Sequence, residues 1–278
     1  MAHYCRPPTL NDALAVLGES DGKGRILVGG TDLLVHTRRD PYADTVLIDI
    51  KGATDLAPAM EVVGDTVRFG PTASMAALAD HADVAGWFPA VVAASKVVGS
   101  VAIRNRATLI GNICNASPAC DTAPGLLVHG AVVTIAGPAG QRELPLHEFF
   151  LAPGKTACGA DEIVIRLDVP VPADGTASAF ERLTRRRGVD LATVNLAARV
   201  DPDGAITLAL GCVGPTPLLT ATSGPVDHDD TASVEAAVDE LISIATPISD
   251  VRATKEYRTA MTRVLALRAV GQAAWSRA

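Results

Sequence analysis

Arg25-Ile26-Leu27-Val28-Gly29-Gly30-Thr31-Asp32-Leu33 decides the reading of this chain. Four residues of strand character run into a glycine pair, and an apolar, helix-compatible segment follows from Leu33 to Thr37. Glycines at such a turn let the backbone approach a ligand closely. A helix start just beyond presents amides toward a pyrophosphate, and Thr31 adds a hydroxyl. A plain structural turn is the alternative reading of the same two glycines. The segment lacks a GxGxxG fingerprint, which argues against a Rossmann nicotinamide site.

Outward from this unit, Val46 to Ile50 reads as a second strand. Val62-Val63 and Val67-Arg68-Phe69 flank Gly64-Asp65-Thr66 as a hairpin, and Thr72 is placed to cap a helix running through Ala79. The span Val101 to Asp121 is polar and glycine-containing. Thr108, Gly111, Asn112, Asn115, Ser117 and Asp121 offer enough donors and acceptors for the phosphates and sugars of a dinucleotide, or for a loop that satisfies itself. Strands resume at Ala131 to Ala136 and at Glu162 to Val169. Pro170, Pro172 and Gly175 then mark a boundary. Beyond it, Leu196, Ala198 and Val200 alternate, as do Ile206, Leu208 and Leu210 across an Asp201-Pro202-Asp203-Gly204 turn, predicting a hairpin with one protected face. Val234, Val238, Leu241 and Ala245 recur at helical spacing. So do Tyr257, Met261, Val264 and Leu265, a stripe read as core packing.

The chain has 278 residues, 48% of them hydrophobic, 20% charged and only 4% aromatic, so an ordinary globular core of Val, Leu, Ile and Ala is expected. A net charge of -7 argues against a nucleic-acid partner. The run Arg185-Arg186-Arg187 is either a solvated surface or a contact for a phosphate or a partner protein. The start, Met1-Ala2-His3-Tyr4-Cys5, has no signal-like pattern, and no run is long enough to be an integral membrane segment. A cytoplasmic protein is expected. Cys5, Cys114, Cys120, Cys158 and Cys212 are irregularly spaced and contain no CxxC pair, which fits reduced thiols better than a disulfide framework, a metal site or an iron–sulfur site in this chain. The six histidines form no metal-ligand spacing and the serines form no triad. No metal and no catalytic residue is assigned, and any chemistry is expected from a cofactor.

Leu27-Val28-Gly29-Gly30-Thr31-Asp32-Leu33, Ile103-Arg104-Asn105-Arg106-Ala107-Thr108-Leu109-Ile110-Gly111-Asn112, and Asn115-Ala116-Ser117-Pro118 with Asp121 resemble the FAD-binding medium subunit of molybdenum hydroxylases, the xanthine dehydrogenase and carbon monoxide dehydrogenase family. The resemblance continues through Phe180 to Ala192 and through Pro247 to Arg258. It implies an α+β fold: a two-subdomain, vanillyl-alcohol-oxidase-like FAD-binding region over 1-173, followed by a smaller antiparallel sheet-plus-helices domain over 177-278. It further implies one non-covalent FAD. Leu27 to Leu33 and Thr108 to Asn112 (with Ile110 and Gly111) would cradle the pyrophosphate, Asn115 and Ser117 would add polar contacts, and Asp121 would hold a sugar hydroxyl. Ile163 and Val164 would border the flavin. Where xanthine dehydrogenase carries a flavin-contacting lysine, this chain has Phe180-Glu181-Arg182, and Arg182 is the candidate substitute. A molybdenum-cofactor large subunit and an iron–sulfur small subunit are the implied partners, in a heterotrimer or a dimer of heterotrimers, with the terminal acceptor left open. A stand-alone flavin oxidoreductase and a noncatalytic flavin-binding scaffold are the alternatives.

Overall fold

The computed structural model describes residues 3–39 and 44–277. Its first layer is a parallel three-stranded sheet in which Val46–Asp49 lies between His3–Cys5 and Gly24–Leu27. The helix Leu10–Glu19 lies between His3–Cys5 and Gly24–Leu27 in sequence. Thr9 caps it by accepting the Asp12 amide at 3.1 Å, and Ala13 and Leu17 bury against Ile48 and Ile50. Val28 leaves the strand one residue earlier than the sequence suggests, so the Gly29-Gly30 turn opens at the carboxyl end of a parallel strand, where ligands of open α/β sheets bind.

The second layer is an antiparallel five-stranded sheet. Ile163–Pro170 is central, between Thr66–Phe69 and Val132–Gly137, and Met60–Val63 and Gly140–Pro145 form the edges. The expected hairpin at Gly64 is present, with Gly64 at φ +57. Phe69, Met75, Leu78, Phe88, Leu109, Ile113, Leu126 and Phe149 are fully buried in this layer's core. The pairing of Ile163–Pro170 with Val132–Gly137 shifts register between Val164 and Arg166. A bulge of this kind re-aims side chains beside it. Ile163 packs with the parallel layer and Val164 with the second core, so the two residues span the junction.

The third layer is an antiparallel sheet ordered Ala177–Leu183, Val194–Val200, Ile206–Gly211, Leu218–Ala221, with the helices Thr231–Ile242 and Lys255–Ser276 packed on it. Here the expectation of one protected face is corrected. Leu196, Ala198, Leu208 and Leu210 bury beneath the helices, while Ala197 and Ala209 on the opposite face join the second layer's core. A hairpin sandwiched on both sides carries small residues on the tighter face, and that pattern is easily mistaken for a solvent face.

Three further readings change. The helix expected from Thr72 is Met75–Asp80, and its cap is Ser74, whose hydroxyl accepts the Ala77 amide at 3.1 Å. The span 101–121 holds two short helices, Val101–Arg104 and Leu109–Cys114. Tyr257 of the supposed core stripe is half exposed. Val264 is exposed too, whereas Leu265 is buried as expected and Met261 packs against the same core; the helix Lys255–Ser276 carries the buried face on through Ala266, Ala269, Val270 and Ala273.

Candidate functional site

A cleft of about 1050 Å³ is lined by parts of all three layers. Residues Val28 to Leu33 line it from the first layer. Thr108, Ile110, Gly111, Asn112, Asn115, Ser117 and Asp121 come from the second, with Ile163 and Val164 from the central strand. Arg182 reaches in from the third. Of the residues expected at the site, Leu27 alone does not line the cleft: it is buried beneath the turn it introduces.

Backbone geometry explains the glycine pair. A Cβ added at Gly29 would fall on the Arg106 carbonyl oxygen and lie 3.0 Å from its carbonyl carbon, so the two candidate loops meet backbone to backbone and only glycine fits. Gly30 has φ +70, in the left-handed region, and its carbonyl accepts the Leu34 amide that starts the next helix. In the facing loop Thr108 caps Leu109–Cys114, its hydroxyl accepting the Gly111 amide at 3.2 Å. Some polar groups of this stretch are committed internally. Asn112 Oδ1 accepts from Thr122 Oγ1 at 2.6 Å and from Cys120 Sγ at 3.1 Å, and Ser117 Oγ accepts the Ala119 amide at 3.2 Å. Thus a self-satisfied loop and a cleft wall are the same structure.

A smaller recess of about 110 Å³ shares Val28, Gly29 and Thr108 with the cleft and adds Thr72, Ser74, Asn105, Arg106 and Lys51. Lys51 was not singled out from the sequence. Its ammonium donates to Val28 O at 3.0 Å and pairs with Asp49 Oδ1 at 2.6 Å, while Asp49 also accepts the Tyr4 hydroxyl at 2.8 Å. Burial pushes the Asp49 carboxyl up, but the bonds from Lys51 and Tyr4 outweigh it and hold the group below its ordinary value.

Asp121 lies at the junction with the third layer. Its carboxylate is nearly buried, with Arg182 Nε at 3.1 Å and Asn195 Nδ2 donating at 2.7 Å. Burial pushes its pKa up to about 6, against the opposing pull of Arg182 and Asn195. Arg182 also donates to Val97 O at 3.5 Å and to the carbonyl of Asp190. The arginine run serves its own loop in part: Arg185 pairs with Asp190 at 3.1 Å, Arg186 donates to Val189 O at 2.8 Å, and of the three only Arg186 lines the cleft. Cys120 and Cys158 line it as well, and burial pushes both thiols up to about 11, leaving them neutral. Among the described residues no group of three or more His, Cys, Asp or Glu side chains is placed to hold a metal ion, and no helix is long and apolar enough to cross a membrane.

The cleft is at the upper end of small-molecule sites, roughly 300–1,000 Å³. It offers glycine backbone at a loop junction, a lysine beside that junction and a carboxylate acceptor at the far wall. These groups fit an elongated ligand with a phosphate segment and sugar hydroxyls.

Comparison with known proteins agrees. Residues 1–172 match the family described as the FAD binding domain in molybdopterin dehydrogenase, and residues 178–273 match the CO dehydrogenase flavoprotein C-terminal domain. The chain is 31% identical to the carbon monoxide dehydrogenase medium chain of Hydrogenophaga pseudoflava, covering 99% of this chain and 97% of that protein. It is 29% identical to the xanthine dehydrogenase FAD-binding subunit of Escherichia coli O157:H7, over 98% and 96%. The solved carbon monoxide dehydrogenase from Hydrogenophaga pseudoflava that lacks the Mo-pyranopterin moiety aligns with a TM-score of 0.90 at 30% identity, covering 99% of this chain and 97% of that one. Quinoline 2-oxidoreductase from Pseudomonas putida 86 shares the fold, with a TM-score of 0.90 at 24% identity over 100% and 98% of the two chains.

Proposed function

This chain belongs to the FAD-binding medium subunits of the molybdenum hydroxylase family, with their two-domain, vanillyl-alcohol-oxidase-like architecture, and from that premise we propose that it holds one FAD non-covalently in the cleft and relays electrons from a partner's iron–sulfur clusters to a terminal acceptor. The observation that carries the reading is the backbone contact of Gly29 with Arg106, which joins the two loops that resemble the family's pyrophosphate cradle.

In this reading the bound flavin supplies the redox chemistry, accepting electrons singly and passing on a pair. The chain's own residues bind and orient it. Gly29, Gly30 and the Thr108 to Asn112 segment approach the pyrophosphate, Lys51, itself paired with Asp49, holds the Val28 carbonyl that leads into the glycine turn, Asp121 accepts from a sugar hydroxyl, and Ile163 and Val164 give the ring an apolar wall. Arg182 takes the place of the family lysine. Substrate hydroxylation would reside in a molybdenum-containing large subunit, with an iron–sulfur small subunit between, in a heterotrimer or a dimer of heterotrimers in the cytoplasm. The medium-chain relatives support the assembly, and the five unpaired cysteines support a reducing compartment.

Mild denaturation should release a flavin whose mass and spectrum are those of FAD. Purification through a tag on the natively expressed chain should recover a molybdenum chain and an iron–sulfur chain. Folded protein with no affinity for FAD, or flavin that stays covalently attached, refutes the cofactor reading. A solitary, metal-free protein with full physiological activity refutes the partners and favours a stand-alone oxidoreductase.

A further inference from the structure

Asn195 is fully buried and does not line the cleft. It sits on Val194–Val200, directly opposite Arg182 on one neighbouring strand and Gly211 on the other. Cross-strand partners share a sheet face, and this face looks toward the FAD-binding region. A buried amide costs stability unless it is hydrogen-bonded, so an apolar side chain would serve better if packing were the only requirement. The amide nitrogen of Asn195 is spent on the cleft wall: Nδ2 donates to Asp121 Oδ1 at 2.7 Å and to Cys120 O at 3.4 Å. Gly211 makes room for it, because a Cβ there would overlap Asn195 Oδ1 and lie 3.0 Å from Cγ.

Arg182 contributes differently. Its Nε lies 3.1 Å from Asp121 Oδ1, yet its N–H is not directed at that oxygen, so the contact is ionic. Asp121 begins the helix Thr122–Val128 without capping it through its side chain. Among the described residues, the directed hydrogen bond to the Asp121 carboxylate therefore comes from Asn195. The register that aims Asn195 is itself pinned. Arg258, buried in the long C-terminal helix, donates to the carbonyl of Thr193, two residues before Asn195, and to that of Cys212, next to its cross-strand partner Gly211, and pairs with Asp250 at 2.7 Å.

We propose that Asn195 is a positioning residue for the cofactor: from the C-terminal sheet it orients the Asp121 carboxylate and keeps it charged, so that Asp121 can accept a sugar hydroxyl of the FAD. This rests on the FAD reading and adds to it a contribution from the second domain. A charged acceptor makes the stronger bond, roughly twice a neutral one. The charged or titratable neighbours of Asp121 are Arg182 on the adjoining strand, Cys120 in its own loop and Cys212 beyond Gly211. Burial pushes the two thiols up to about 11 and about 12, so they stay neutral below pH 8. Near pH 6 Asp121 is then the group among these that changes charge.

The test is a titration of the deflavinated full chain with FAD between pH 5 and pH 8. In the unsubstituted protein, affinity should weaken as pH falls through about 6. Asn195→Ala should weaken FAD binding about tenfold at pH 8, the scale of a hydrogen bond to a charged group, and move the midpoint upward because the charged carboxyl has lost its donor. In an Asp121→Asn background the pH step should vanish, and Asn195→Ala should then cost little more. A merely structural Asn195 predicts equal losses in both backgrounds and an unmoved midpoint, and either result overturns the proposal. If Asn195→Ala does not accumulate folded, Gly211→Ala probes the same contact by crowding Asn195, with the same upward movement expected. A flat profile for the unsubstituted protein overturns the proposal without either variant. Failure of that protein to bind FAD at any pH would instead remove the functional reading beneath it.

Discussion

Asp121→Asn should make the cofactor-free protein more stable. An ordinary aspartate titrates near 3.9, and burial pushes Asp121 up to about 6, a difference of about two pH units that at about 1.4 kcal/mol each amounts to about 3 kcal/mol. The pull of Arg182 and Asn195 is already contained in that net value. Because the folded carboxyl titrates above the unfolded one, the folded state binds more protons between about pH 4 and pH 6. This group's contribution to stability is therefore greatest below that window and is lost as pH rises through it. Asparagine removes the ionisation while keeping the shape and one oxygen for Asn195. The expected gain at pH 8 is about 2–3 kcal/mol, allowing for an Arg182 left without its anion, or roughly 4–10 °C in Tm for a chain of this size. At pH 4 the variant and the parent should melt together. Calorimetry of the deflavinated protein at both values decides the matter. A variant less stable than its parent at pH 8 would show that the Arg182 pair and the Asn195 bond outweigh desolvation, and would refute the expected gain.

Gly29→Ala drives a methyl group into the Arg106 carbonyl and should cost about 3 kcal/mol together with most FAD affinity, whereas Gly64→Ala, at φ +57 with open space around it, should cost about 1 kcal/mol and leave FAD binding unchanged. Denaturant melts and flavin titrations of the pair separate a broken site from general strain. His129 is buried edge-on to Phe88 with Nε2 2.9 Å from Ser178 Oγ, and burial holds its pKa down at about 3. A depressed imidazole costs stability as pH falls from about 6.5 toward 3, so His129→Gln should flatten that part of the acid limb relative to the parent, and an unchanged pH–Tm curve counts against it. Arg258→Met removes the guanidinium that donates to the carbonyls of Thr193 and Cys212, while Asp250 keeps Arg252 as its partner, and should cost about 2–3 kcal/mol, with weaker FAD binding following from the disturbed Asn195 register. Retained stability with intact FAD affinity would contradict that linkage.

What was legible in the sequence was local. Arg25 to Leu33 reads as strand, turn and helix start because hydrophobic run, glycine pair and following apolar segment all act within a few residues, and the structure agrees to within one residue. The polar groups from Thr108 to Asp121 were recognisable as a surface for the same reason. The supporting residues were not. Lys51 matters because parallel pairing sets the strand that precedes it beside the one leading into Gly29. Asn195 matters because it is in register with Arg182 and Gly211. Neither register has a signature in the linear chain. Ser74 rather than Thr72 caps the next helix because Ser74 is bridged to Thr108 across the cleft wall, a long-range constraint that two equally good capping residues cannot reveal. The alternation from Leu196 to Leu210 gave the hairpin correctly but not the second buried face, since alanines at 197 and 209 look the same facing solvent or a neighbouring domain.

The second buried face and the unsignalled Asn195 share a cause that bears on how the site works. Ala197 and Ala209 are buried because the C-terminal sheet packs directly on the core behind Asp121, and Asn195 is aimed at Asp121 by the same packing. The domain contact and the cleft wall are therefore one surface. Bringing the sheet into place buries the Asp121 carboxyl, which is unfavourable for its charged form, and simultaneously supplies Arg182 and Asn195, which offset only part of that cost. In the proposed reading a sugar hydroxyl adds a further donor to the same carboxylate, so cofactor binding and domain docking stabilise each other. Loss of FAD should then loosen the contact between the two domains before it loosens either core. Hydrogen exchange should register this first at the Asp121 and Asn195 amides, while Ile135 and Leu208 keep their protection.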